Sequence, residues 1–322
     1  MIKKSSRQRT EEHTLLRGSR KWSWASMLFF LGVAAVFQPR LAPGTDEPYE
    51  KETFAYKHLK GCALSVDVFR APTTVVEPVI FWIHGGALIG GYRGNLRADQ
   101  VGKYIEAGFT VVSIDYRLAP ETKLPEILDD IHDAYEWVRN EGPSLLHIDP
   151  NRLAVVGHSA GGYLALTQGY LESPPPKAIV SFYGYGDIAA KWYSEPDPFY
   201  LGQPPVSARE AVQSLCSGYP CGGEPPESRW RYYRYLRQQG LWPKEVAGYD
   251  PHKDPQAFHP YCPVRNISGK FPPTLLIHGD KDTDVPFEQS EEMYRELKSL
   301  CGNSILTPGY NAGERRSADE IF

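Results

Sequence analysis

The fold is read from Leu153-Ala154-Val155-Val156-Gly157-His158-Ser159-Ala160-Gly161-Gly162-Tyr163-Leu164. Four apolar residues form a short buried strand. A Gly-x-Ser-x-Gly turn follows at once, and small residues then open a helix. This context is what a nucleophile elbow needs: a sharp turn that lifts the serine hydroxyl above the carboxyl edge of a sheet. Gly157 and Gly161 supply the small neighbours that such a turn demands. The helix N-terminus behind Ser159 favours negative charge developing beside it.

Outward from this point, strands and helices alternate. Val79–Ile83, Phe109–Ile114, Ala178–Tyr183 and Thr274–Ile277 read as buried strands. Leu96–Ala107, Leu124–Val138 and Glu288–Leu300 read as helices. The alternation predicts an α/β domain, a mostly parallel central sheet flanked by helices. Residues 187–262 are rich in Pro, Gly, Tyr and Trp, with no strand-like run. They read as a cap inserted over the carboxyl edge of the sheet. Within it, Ser228–Arg237 mixes arginine with aromatics. It reads as a cap helix with Arg231 and Arg234 on a solvated face and the aromatics packed inward.

A second motif, His84-Gly85-Gly86-Ala87, ends the strand Val79–Ile83. Glycines there let backbone N–H groups point into a site. The amides of Gly85, Gly86 and Ala160 are the expected oxyanion hole. His84 reads as structural.

With Asp115–Glu121 (DYRLAPE) between them, these two motifs resemble the hormone-sensitive-lipase-like branch of the α/β-hydrolase fold, a group of esterases and lipases. The resemblance runs from about Phe54 to Pro308 and implies carboxylic-ester hydrolysis through an acyl-enzyme on Ser159. Asp115 and Arg117 would be architectural. His278-Gly279-Asp280-Lys281-Asp282-Thr283-Asp284-Val285-Pro286 is similar to the family turn HG-x-x-D-x-x-V-P, which assigns the triad acid to Asp282. Asp280 and Asp284 are the local alternatives.

The base is the difficulty. It should follow the acid, yet no histidine occurs after His278. The family turn Pro-Gly-x-x-His-Gly reads Pro308-Gly309-Tyr310-Asn311-Ala312-Gly313 here, with Ala312 at the histidine position. The sequence stops at Phe322, where the family usually has another helix. Three explanations stand open: a non-catalytic relative, a gene model or expressed chain altered at its 3′ end, or a histidine from the cap such as His252 or His259. A small-ligand binding module and a peptidase on the same fold are the competing functions.

The remaining features bound the answer. Lys3, Lys4, Arg7, Arg9, Arg17, Arg20 and Lys21 make residues 1–21 a basic tail. Residues 22–38 carry no charge and read as a signal anchor or a cleaved signal peptide, with a cut after Ala35 in the second case, the plain alternative being an apolar helix packed on the soluble domain. Residues 39–53 read as a linker, and 54–322 as the hydrolase domain. The expected location is membrane-anchored or secreted, which permits disulfides. Cys216 and Cys221, five apart, are the local candidates for one. A net charge of -4 argues against nucleic acid as a partner. The pairs His132 with Asp133 and His252 with Asp254 match no metal-site spacing. The Gly-Gly motifs lack a dinucleotide fingerprint, so no cofactor is expected.

Overall fold

The computed structural model describes residues 49–215, 221–302 and 304–309. The apolar segment 22–38 and Ala312 lie outside them. One eight-stranded sheet runs through the domain in the order β1-β2-β4-β3-β5-β6-β7-β8. Its strands are β1 Glu50–Leu59, β2 Cys62–Arg70, β3 Glu77–Ile83, β4 Thr110–Ile114, β5 Ile148–His158, β6 Ala178–Phe182, β7 Thr274–Gly279 and β8 Ser304–Gly309. From β4 to β8 every pairing is parallel, while β1 and β2 form an antiparallel edge hairpin.

The hairpin corrects the N-terminal boundary: β1 begins at Glu50, inside the stretch read as linker. Its sequence, EKETFAYKHL, opens with four polar residues, has no buried side chain and carries only the short apolar run Phe54-Ala55-Tyr56. β8 was not expected either. It is the opposite edge, and Ile305 and Thr307 are exposed.

The inner strands were legible because both of their faces are buried. On β3, Val79, Phe81 and Ile83 enter the larger core cluster, and Ile80 and Trp82 enter the smaller one on the other face. Helix α1 (Ala98–Glu106) closes the smaller cluster with Val101 and Ile105. Helices α2 (Leu124–Asn140), α3 (Gly142–Leu146) and α4 (Ala160–Leu171) contribute to the larger one. The spacing of Leu124, Ile127, Ile131, Tyr135 and Val138 puts one face of α2 inward.

Between β6 and β7 the chain forms short helices: α5 Lys191–Ser194, α6 Pro198–Leu201, α7 Ala208–Gln213, α8 Arg229–Gln239 and α9 Trp242–Ala247. Helix α10 (Glu288–Leu300) follows β7. In α8, Arg231 is exposed and Arg234 half-buried, whereas Arg229 and Arg237 are buried along with Tyr232 and Tyr233. Among the described residues, no helix is long and apolar enough to cross a membrane.

Cys221 bonds Cys62. This replaces the local pairing with Cys216, which lies outside the described residues. The reason is the approach of the loop to the hairpin turn. Gly222 (φ +80) packs against the Ala63 carbonyl and the Asp115 carboxylate, and Gly223 N–H donates to Asp115 Oδ2 at 3.2 Å. The bond spans 159 residues of sequence. Reduction, or Cys221→Ser, is therefore expected to cost about 2–4 kcal/mol of stability. Urea unfolding with and without reductant measures it, and an unmoved midpoint would contradict the expectation.

Candidate active site

The site is assembled where β3 and β5 run side by side. Ile83 pairs with Gly157, so the two motifs leave the sheet as neighbours. Ser159 has φ +52 and ψ −122, a conformation costly for a residue with a side chain. Packing enforces it. A Cβ on Gly157 would lie 2.1 Å from the Gly161 carbonyl oxygen, and a Cβ on Gly161 would lie 2.1 Å from the Ile83 carbonyl oxygen. Ser159 N–H donates to the Phe182 carbonyl at 2.8 Å, and its own carbonyl accepts from Tyr163 at 3.0 Å. Ser159 itself is 6% exposed.

Gly85 packs directly on the elbow: a Cβ there would meet the His158 ring at 2.7 Å and the His158 carbonyl at 2.9 Å. Gly86 has φ +109. Among the described residues, the Gly85 and Gly86 amides meet no acceptor. Ala160 begins α4, so its amide has no partner inside the helix. Gly85 and Gly86 thus carry amides open to an acceptor, Gly85 packing against the elbow, and Ala160 carries one at the start of α4.

His84 is buried and stacked on Tyr116 at 4.0 Å, with Nδ1 2.7 Å from the Gly85 carbonyl. Burial pushes its pKa down to about 3 and that of His158 to about 4, so both rings are neutral at ordinary pH. Asp115 accepts from the Arg93 guanidinium and amide, and Arg117 pairs with buried Asp130 at 2.7 Å. Both residues brace loops.

The acidic turn separates its three aspartates. Asp280 is exposed. Asp284 Oδ1 accepts from Tyr200 at 2.9 Å, Tyr233 at 2.7 Å and Arg237 at 2.6 Å, so the cap occupies it. Asp282 Oδ1 accepts from the amides of Asp284 (2.8 Å) and Val285 (2.9 Å). Its other oxygen lies 3.5 Å from His278 Nε2. Asp282 also faces Tyr183, whose hydroxyl is raised to about 12 by burial and then by that carboxylate. His278 is fully buried: its Nε2–H donates to the Val285 carbonyl at 3.0 Å, and its Nδ1 accepts from Ser290 at 2.7 Å. It holds the acid loop in shape.

The cap histidines stand apart. His252 is exposed and donates from Nε2 to the Ser194 carbonyl at 2.9 Å, and His259 is exposed. Among the described residues, no contact links either to Ser159 or Asp282. Nor do any three His, Cys, Asp or Glu side chains there gather as metal ligands.

Two buried arginines escaped the sequence reading. Arg229 binds Glu121 through two 2.8 Å contacts and the carbonyls of Ile89 and Ala119, each at 2.6 Å. Arg237 pairs with Asp197 and Asp284, each at 2.6 Å. Their partners lie far away in sequence. The one available signal was their i, i+8 spacing on the same helix face as Tyr233 and Leu236.

The BD-FAE family model matches residues 66–216 and 237–297, more than half of the chain. A curated relative, the non-reducing polyketide synthase pkbA of Emericella nidulans, is 29% identical over 83% of this chain but over only 13% of its own length. The chain thus spans about an eighth of that relative. An α/β hydrolase superfamily protein from Enterococcus faecalis superposes with a TM-score of 0.62 at 25% identity, covering 84% of this chain and 94% of that one. A structure described as a bacterial heroin esterase gives 0.57 at 22%, covering 82% and 76%.

Proposed function

The chain belongs to the BD-FAE family, hormone-sensitive-lipase-like esterases of the α/β-hydrolase fold, and from that premise we propose that Ser159 attacks small carboxylic esters. Its hydroxyl oxygen would bond the ester carbonyl carbon while Gly85, Gly86 and Ala160 receive the oxyanion. The alcohol would then leave, water would release the acid, and Ser159 would be regenerated. Asp282 would orient the base, since one of its oxygens is fixed by two amides and the other is not. The observation that carries this reading is the strained backbone at Ser159 beside two glycine amides without acceptors. Strain of this kind persists where function requires it.

In the family motif, Ala312 falls at the sequence position of that base. Without a base, turnover falls by several orders of magnitude, and the oxyanion hole sustains what remains. The chain is therefore a slow esterase by this reading. Ala312 also favours a second reading, a pocket that binds an ester-like ligand without turning it over. An exported or membrane-anchored location is supported by the basic and apolar segments of residues 1–38 and by the Cys62–Cys221 bond, a feature of oxidising compartments.

Labelling tests the nucleophile that both readings retain, and turnover of short p-nitrophenyl esters separates the two. An alkyl fluorophosphonate is expected to modify Ser159, slowly, as peptide mass spectrometry would show, and Ser159→Ala is expected to remain unmodified. Modification elsewhere, or none at high reagent, would remove the nucleophile assignment.

A further inference from the structure

The loop that follows β3 has an unusual carbonyl inventory. Ala87 (φ +54) and Leu88 (φ +59) hold two successive left-handed conformations without being glycine. Such residues cost energy and need external restraint. The Gly86 carbonyl accepts from the amides of Ile89 and Gly90, both at 2.8 Å. The Leu88 carbonyl accepts from Ala119 at 2.8 Å. The other two carbonyls are held from the cap: Ala87 by the indole Nε1–H of Trp242 at 2.8 Å, and Ile89 by Arg229 Nε at 2.6 Å. Trp230, also in the cap, lies over Gly90, where a Cβ would come within 3.2 Å of its ring. Both holding side chains are rigid. Trp242 is fully buried and stacks on Tyr193 at 4.0 Å, and Arg229 is 1% exposed and forked onto Glu121.

We propose that the cap sets the geometry of the oxyanion hole, with Trp242 and Arg229 as positioning residues that keep the Gly85 and Gly86 amides aimed at the reacting carbonyl. The inference rests on the assignment of those amides to the oxyanion hole. Neither side chain is assigned a contact with the substrate. Each acts by fixing one carbonyl of a strained loop whose preceding amides do the work. An oxyanion donor loses most of its effect when displaced, because its value depends on preorganisation. Cap and catalytic loop are thus one mechanical unit, and a cap that shifts takes the hole out of alignment.

The experiment measures fluorophosphonate labelling of Ser159 in the full chain, separating the first-order rate constant kinact from the affinity Ki. It is run at a temperature where circular dichroism shows each variant folded. Trp242→Phe and Arg229→Lys are each expected to lower kinact about 10–100-fold, with Ki changed less than about twofold. The double variant should lose much less than the product of the two, because both restrain one loop. Glu121→Gln weakens the fork that locks Arg229 and so loosens its hold on the Ile89 carbonyl. It is the variant expected to fold in any case, and should lower kinact several-fold. Unchanged kinact in Glu121→Gln, or in folded Trp242→Phe and Arg229→Lys, overturns the proposal. So does a loss confined to Ki, which is the mark of a damaged binding pocket. Absence of Ser159 labelling in the native chain is a separate result: it would sink the nucleophile assignment itself.

Discussion

Ala312→His is expected to raise hydrolysis of short p-nitrophenyl esters by about two to four orders of magnitude, the usual contribution of a positioned general base. The register of the sheet edge supplies the argument. Gly279 pairs with Gly309 across β7 and β8. Asp282 is three residues beyond the first of these, and position 312 is three residues beyond the second. A carboxylate with one oxygen anchored and one unanchored already stands on the first path. Ala312→Asn should give no gain, and Ser159→Ala placed on Ala312→His should abolish the gain. Native turnover equal to that of Ala312→His would refute the claim that the base is missing.

Arg237→Met is expected to be the most destabilising single change in the cap, at about 3–5 kcal/mol. The guanidinium is fully buried, with Asp197 and Asp284 as its counter-ions. The rings of Tyr193 and Tyr200 lie 4.8 Å from its central carbon. Removing the cation leaves two carboxylates with neither their partner nor full hydration. Breaking such a pair costs more than the pair contributes. Adding Asp197→Asn and Asp284→Asn to Arg237→Met should recover part of the loss, and urea unfolding of the series measures it. Because Asp284 is two residues from Asp282, the single variant should also disturb the acid turn. A midpoint within error of the native protein would contradict the expectation.

The sequence was most legible where close packing restricts the backbone locally. Gly157, Ser159, Gly161 and the Gly85-Gly86 pair announce turns that few other residues tolerate, and VIFWI and FTVVSI announce strands buried on both faces. The edges were obscure because half of each edge strand faces water, as Glu50–Leu59 shows. Asp282 was separable from Asp280 and Asp284 only by resemblance, and the hydrogen bonds of the turn now distinguish all three. Arg229 and Arg237 were missed for a different reason. Burying an arginine requires distant acceptors, and neither helical spacing nor composition reveals Glu121, Asp197 or Asp284 as those acceptors. The Cys62–Cys221 pairing was hidden in the same way.

That bond also constrains the order of events during synthesis. At about 5–20 residues per second, a ribosome needs roughly 8–30 s to travel the 159 residues from Cys62 to Cys221. Through that interval the Cys62 thiol waits unpaired, while β3, β4, β5 and the elbow emerge. When Cys221 appears, the nearest thiol along the chain is Cys216, and short loops close at lower entropic cost than long ones. Strand pairing that carries the β1–β2 turn to the Cys221 loop offsets that entropic difference and favours the long-range bond. An oxidant acting too early would trap the five-residue loop, so yield on refolding should depend on when the oxidant is added.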